Sequence, residues 1–320
     1  MPVNLLRPRT MPANASHPAV KKVKEMETRA RAGATSQPVA LRKELTLPQP
    51  EGQLPLWPDD RRGFPNILAR SALFSCSRDS VNREYFEKRT ISTPKNSTIE
   101  YRGQELRQDD ASVMMQMLHY ARKYELGTDV EFTGYAFIKE LGWSVNTASY
   151  DRLKECLERL SATNLTASSV DGRVGYGGSL VRKFTWRDSA TKEPHRKWKV
   201  TLEPEIVRLF YNGSYSAIEW AERKKIGNRY LLALWLHSFY CSHSRECYPM
   251  HVSTYLELSG SRTKQLFHFR NELRKALERL VAIDFLESWD IDKKSDLVTV
   301  VRRPRQALPL AELPVLAKQA

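Results

Sequence analysis

The chain has four cysteines in 320 residues, and Cys76, Cys156, Cys241 and Cys247 show none of the spacing of a disulfide framework. Free thiols in a reducing compartment are therefore expected. No uninterrupted apolar run approaches the ~20 residues that cross a bilayer. The opening residues, Met1 to Arg9, also lack the apolar stretch and small-residue cleavage site of a secretory leader, so a cytoplasmic protein with no membrane partner is expected. The phosphate cradle Gly-x4-Gly-Lys-Ser/Thr is missing, which removes a common ATPase design. Acid is scarce as well. Asp and Glu number 37 against 51 Lys and Arg, for a net charge of +14. An imbalance of that size favours a polyanionic partner, either nucleic acid or an anionic membrane surface.

Two further chemistries fail on spacing. His237, Cys241, His243, Cys247 and His251 are zinc-ligand types within a short run, but their intervals fit no standard finger or ribbon. The adjacent carboxylates Asp59, Asp60, Asp109 and Asp110 read as surface charges rather than as a metal-dependent nuclease site. No catalytic residue, metal or cofactor is expected, and the chain does not read as an enzyme.

What the chain does contain is a repeat. Leu153-Lys-Glu-Cys-Leu-Glu-Arg-Leu160 returns as Leu273-Arg-Lys-Ala-Leu-Glu-Arg-Leu280, and leucines at i, i+4 and i+7 make one apolar stripe on a helix. Around the first copy the pattern predicts a helix over 110–124, a short strand at 130–133, a helix over 135–141, a Gly142-Trp143 turn and a helix over 146–162. Strands at 165–170 and 180–186, joined by the glycine-rich 171–178, read as a hairpin, with a third strand at 197–202. Around the second copy come helices over 228–239, 253–258 and 262–281, a turn at 259–261, and strands at 283–289 and 297–301 about a 292–296 turn.

Helix, turn, helix and hairpin, twice, predicts an α+β fold of two tandem winged-helix domains. The expected boundaries are 70–212 and 213–303, between an arm at 1–69 and a flexible tail at 304–320. The arm holds ten of the seventeen prolines, and its first fifty residues carry nine Lys or Arg against three Asp or Glu. That composition predicts a disordered basic segment. Within it Gln53-Leu54-Pro55-Leu56-Trp57 is a proline-held apolar stretch suited either to a groove on another protein or to folding back on its own domain.

With the leucines taken as the buried side, the outward face of the second long helix carries Lys264, His268, Asn271 and Lys275, with Arg274 alongside. Lys and Arg suit guanine O6 and N7, and Asn suits adenine N6 and N7. Arg262 and the turn lysines Lys293 and Lys294 extend this basic surface. The first helix differs: its outward Ser144, Thr147, Ala148, Asp151 and Glu155 suit shallower contacts, made through Asn146, Thr147 and Arg152 and the wing residues Arg173, Arg182 and Lys183.

Arg70-Ser-Ala-Leu-Phe74, Tyr101-Arg-Gly-Gln-Glu-Leu-Arg107, Glu140-Leu-Gly-Trp-Ser-Val-Asn146 and Glu155-Cys-Leu-Glu-Arg-Leu-Ser-Ala-Thr163 resemble the TrfA family of plasmid replication initiators, with looser matches at Ser242-His243, Tyr248-Pro249 and Gly260. The resemblance runs from about residue 53 to about 302. It implies binding to direct repeats (iterons) in double-stranded origin DNA and opening of the adjacent AT-rich duplex, whose single strands become a further ligand. It also implies recruitment of the host initiator and replicative helicase. In that family the segment matching Gln53, Leu54, Leu56 and Trp57 is a sliding-clamp-binding peptide; here Trp57 replaces a phenylalanine and Pro55 a serine. A homodimer through the first domain is a candidate assembly, and a transcriptional repressor on the same domains is the alternative function.

Overall fold

The structure, a computed structural model, describes residues 52–78, 80–94, 97–169, 175–187, 194–243 and 247–304. The expected basic arm up to residue 51, Arg173 and the tail from 305 lie outside the described residues.

Two apolar cores organise the chain. The first lobe begins earlier than the sequence suggests. Strand β1 (Arg61–Pro65) leads into the short helix α1 (Asn66–Ala69), then β2 (Phe74–Ser75), β3 (Tyr85–Ile91), β4 (Ser97–Gln104) and β5 (Leu106–Arg107). Helix α2 (Gln108–Ala121) follows, and every residue from Gln108 to His119 is buried. Its methionines, Met114, Met115 and Met117, are packing residues, as a flexible thioether suits the centre of a core. Next come β6 (Asp129–Phe132), α3 (Gly134–Glu140), α4 (Thr147–Ser161), β7 (Asn164–Ser169), β8 (Gly175–Gly178), β9 (Lys183–Arg187) and β10 (Pro194–Thr201). A 3-10 helix at Pro204–Gly213 then leads to β11 (Tyr215–Glu219), which pairs antiparallel with β1. That pairing corrects two boundaries, because residues 52–69 and 215–219 are built into the first lobe.

The second lobe contains α5 (Trp220–Ile226), α6 (Leu231–Cys241), β12 (Met250–His251), α7 (Val252–Leu258), α8 (Leu266–Ala282), β13 (Leu286–Ile291) and β14 (Leu297–Arg302). Both lobes therefore share a succession of helix, short strand and two helices closed by a pair of strands, with β7 and β8 inserted before that pair in the first lobe. In each the short strand joins the second of the two strands, giving sheets ordered β6-β10-β9 and β12-β14-β13. The repeated leucines behave alike: Leu153, Leu157, Leu160, Leu273, Leu277 and Leu280 are all fully buried. Each such side chain contributes about 1.5–3 kcal/mol by leaving water.

One hairpin is a correction. The expected hairpin partners do not pair: β7 and β8 instead extend a four-stranded sheet ordered β3-β4-β7-β8, while β9 pairs with β10. The alternation in each strand is satisfied by either partner, so local pattern alone does not choose between them.

The lobes meet through polar groups. Arg223, buried in α5, donates from Nε and Nη2 to Ser112 Oγ (3.2 and 3.1 Å), from Nη2 to Gln108 Oε1 (3.2 Å), and from Nη1 to the Leu234 carbonyl (3.1 Å) and Ser238 Oγ (3.0 Å). Every face of the guanidinium is thus committed to fixing α2 against α6. Trp235 Nε1 adds a hydrogen bond to the Ser71 carbonyl at 3.1 Å.

Candidate nucleic-acid interface

Helix α8 is anchored by Phe269, Leu273, Ala276, Leu277 and Leu280. On the opposite side Lys264, His268 and Lys275 are exposed, and Asn271 and Arg274 are half-buried. Arg274 Nη1 donates to Asn271 Oδ1 at 3.1 Å. The contact orients the Asn271 amide. At the adjoining turn Lys293 and Lys294 are exposed, while Asp292 Oδ1 accepts the N–H groups of Lys294 (2.9 Å) and Ser295 (2.7 Å) and shapes the turn. Arg270 grips Asp296 with both arms of its fork, at 2.8 and 2.9 Å. A bidentate pair of this kind fixes the hairpin against the helix.

Arg262 does not join that surface. Its guanidinium turns back to the first lobe, pairing with Glu105 at 2.9 Å and Glu84 at 3.3 Å and donating to the Asn82 carbonyl. Two carboxylates and a carbonyl at short range outcompete a solvent-facing position, and Arg262 becomes a tie between lobes. The turn before it is equally committed. Cys76 N–H donates to the Ser259 carbonyl at 2.9 Å, and Gly260 has φ +62° with space for no side chain: an added Cβ would lie 2.9 Å from Ser75 Cβ. Only glycine serves there, because both the dihedral and the close approach exclude a side chain. The start of α8 is thereby registered against the first lobe.

The corresponding surface of the first lobe is weaker. Asn146 and Thr147 are exposed, but the Asn146 carboxamide oxygen caps α4 by accepting Ser149 N–H at 2.9 Å. Arg152 is diverted, lying over Trp143 and 3.4 Å from Asp109. Arg182 and Lys183 are exposed, at the base of the β9-β10 pair rather than at its tip. Asp151 and Glu155 face outward as the sequence suggests. The two long helices thus carry opposite charge on equivalent faces.

The adjacent carboxylates that could suggest metal chemistry are already occupied by cations. Asp110, fully buried, accepts from Arg83 at 2.8 Å, Arg159 at 2.9 Å and the Arg107 N–H at 2.8 Å, and Asp109 pairs with Arg83 at 3.0 Å. Burial opposes the charge on Asp109, but Arg83, Arg152 and Arg159 outweigh it and hold that carboxyl down to about 2. Burial and then the Asp109 charge push Asp110 up, to about 6. Asp109, Asp110 and Cys156 do bring three ligand atoms within 4.8 Å of one another, but guanidiniums fill the space around them. Among the zinc-ligand types, His237 meets Glu222 at 3.1 Å, His243 meets the Phe239 carbonyl and His251 meets the Ser295 carbonyl.

The segment Gln53 to Trp57 is a second correction. Trp57 is only 5% exposed and Leu54 3%, while Leu56 is 68% exposed. The indole stacks on Phe210 with centroids 6.0 Å apart, and its Nε1 donates to His119 Nδ1 at 3.2 Å. Arg122 donates to the Trp57 carbonyl and pairs with Asp59, and Gln53 bridges to Glu125. Gly63 makes room for the ring, since a Cβ there would sit 2.5 Å from it. The fold-back alternative explains these contacts, and a free docking peptide does not.

His119 must stay neutral to accept from Trp57. Burial, then the Arg62 and Arg122 charges, push its pKa down to about 3. Between about 6.5 and 3 the unfolded chain binds the extra proton, so this group's contribution is present above about 6.5 and is lost as pH falls toward 3. Asp110 acts in the opposite sense over part of that window, because its raised pKa makes the folded state the better proton acceptor. The expected result is that thermal melts of wild type and His119→Gln converge on acidification through this window; parallel curves would contradict it.

Sequence reasoning missed Phe267, exposed on α8 next to His268, their ring centroids 5.6 Å apart. The signal was available, because a phenylalanine about 120° from the leucine stripe has no place in the core.

With this geometry in place, comparison with known proteins decides the family. The family model for the TrfA protein matches residues 14–302. The chain belongs to the TrfA family. A plasmid replication initiator protein TrfA from Escherichia coli is 34% identical over 238 residues, covering 73% of this chain and 60% of that protein. Among solved structures, a crystal structure of domains 2 and 3 of RctB superposes with a TM-score of 0.50 at 14% identity, covering 75% of this chain and 98% of that one. The RctB likeness bears on the fold, a mixture of helices and strands. A second structure of the same domains gives a TM-score of 0.49 at 13% identity. Among the described residues of this TrfA-family chain, no helix is long and apolar enough to cross a membrane.

Proposed function

We propose that this chain is a non-catalytic plasmid replication initiator whose two lobes are winged helices that bind direct repeats in double-stranded origin DNA. Lys264, His268, Asn271, Arg274 and Lys275 face the bases of one major groove, with Lys293 and Lys294 on the flanking phosphates. The observation that carries the reading is the two-sided character of α8, whose leucines are buried while its lysines and histidine face solvent. The first lobe sets register. Its outward carboxylates Asp151 and Glu155 repel phosphate, so Asn146, Thr147, Arg182 and Lys183 make shallower contacts. Arg262 and Arg152 act within the protein rather than on DNA.

Opening of the AT-rich duplex, binding of its single strands, and recruitment of the host initiator and replicative helicase belong to the same proposal and rest on family membership. Such a protein would act in the bacterial cytoplasm. Sliding-clamp binding through Gln53 to Trp57 receives no support from a buried Leu54 and Trp57.

Footprinting of the purified chain on its plasmid should reveal regularly spaced protected repeats, and the chain supplied in trans should sustain an origin plasmid. Protection of a single promoter-proximal operator without replication would instead mark a repressor. Each phosphate contact should steepen the fall of affinity with salt by about 0.9 in the logarithmic slope, and a flat salt response would remove the electrostatic basis of the proposal.

A further inference from the structure

Phe267 is 62% exposed and is the one phenylalanine among the large apolar side chains left in solvent by the described residues. The core does not need it, since Phe269, two positions on, already fills the helix anchor and is fully buried. His268 lies edge-on to the ring, and Lys264, Arg274 and Lys275 share the side of the helix opposite its leucines. An apolar protein partner is poorly matched to a phenyl ring on so basic a helix side, whereas a polyanion with an embedded apolar group matches it well. The DNA major groove is that ligand, and its one apolar group is the 5-methyl of thymine.

Helix periodicity sharpens the assignment. Phe267, Asn271 and Arg274 stand at i, i+4 and i+7, so they form one stripe along the outward face. Asn271 presents its amide one turn beyond the ring, and carboxamides pair with adenine N6 and N7. The stripe therefore places a thymine-methyl contact beside an adenine contact, at the end of α8 that Arg262 and Gly260 register against the first lobe. We infer that Phe267 is a specificity-determining residue that packs on a thymine methyl within the repeat and biases recognition toward A·T pairs. This inference rests on the reading that α8 enters the groove.

The test is a binding experiment on the footprinted repeat with each thymine replaced singly by deoxyuridine, which deletes only the methyl group. Wild type should lose roughly four-fold at one position, the worth of one buried methyl group. Phe267→Ala should bind the unmodified repeat less tightly by at least that factor and should be indifferent to deoxyuridine there, while Phe267→Leu should keep part of the sensitivity. Because the ring is exposed, all three proteins should melt alike. Full affinity of Phe267→Ala, its undiminished sensitivity to the deoxyuridine, or a wild type that no deoxyuridine weakens would each overturn the assignment. Lys264→Ala and Lys275→Ala, measured in parallel, separate the two claims. If they weaken binding while Phe267→Ala does not, the helix is in the groove and the methyl contact alone is wrong; if none of the three matters, the groove reading itself has failed.

Discussion

Trp57→Ala should lower the unfolding free energy by about 3–5 kcal/mol, the usual cost of removing a buried large aromatic, while Leu56→Ala should leave it within about 0.5 kcal/mol. The contrast follows from exposure, 5% against 68% for two neighbouring residues. Losing the indole empties the space beside Phe210 and Tyr215 and leaves His119 Nδ1 without its donor. Gly63→Ala should act in the same direction, since its methyl would overlap the ring at 2.5 Å. Denaturant unfolding of the variants checks this. Equal stability of Trp57→Ala and wild type would restore the docking-peptide reading.

Asp110→Ala should cost about 3–5 kcal/mol as well, because it takes from the buried Arg159 guanidinium its one close carboxylate, while Arg83 keeps Asp109. Arg159 is 9% exposed and reaches Asp110 at 2.9 Å but Asp109 only at 3.8 Å. The loss would loosen α4 from α2, the contact that holds the first lobe's long helix. An exposed pair offers the control: Arg102 and Glu87 lie 3.3 Å apart with both side chains largely in solvent, so Glu87→Ala should change stability by no more than about 1 kcal/mol. Equal effects of the two substitutions would mean that the buried network contributes no more than a surface pair.

Helices were legible in the sequence because their signal is local. The leucine spacing in 153–160 and 273–280 reports which side of α4 and α8 is buried without knowledge of any partner, and the outward Lys264, His268 and Lys275 follow by subtraction. Strand partners were not legible. β1 finds β11 across 150 residues of chain, and β7 joins β4 rather than the nearer β9 segment, choices set by tertiary packing. The hairpin of β3 and β4 carries side chains exposed on both faces along Tyr85 to Thr90, which erases the alternation that marks a strand. Arginines were the other weak point. A guanidinium reads the same in sequence whether it meets phosphate or carboxylate, and Arg262 and Arg152 meet Glu105 and Asp109 because the fold brings distant acids to them. The segment at Trp57 looked free because its prolines forbid a helix, yet an extended chain can still be stapled by one aromatic.

The central claim is that the cationic side of α8 faces base edges. It is tested most directly by the affinity of Lys264→Ala, Asn271→Ala and Lys275→Ala for the footprinted repeat and for unrelated duplex of equal length. The expected result is a loss of about 1–3 kcal/mol for each base-contacting residue on the repeat, with a much smaller loss on unrelated duplex and an unchanged melting temperature. Wild-type affinity of all three variants for the repeat would contradict the claim.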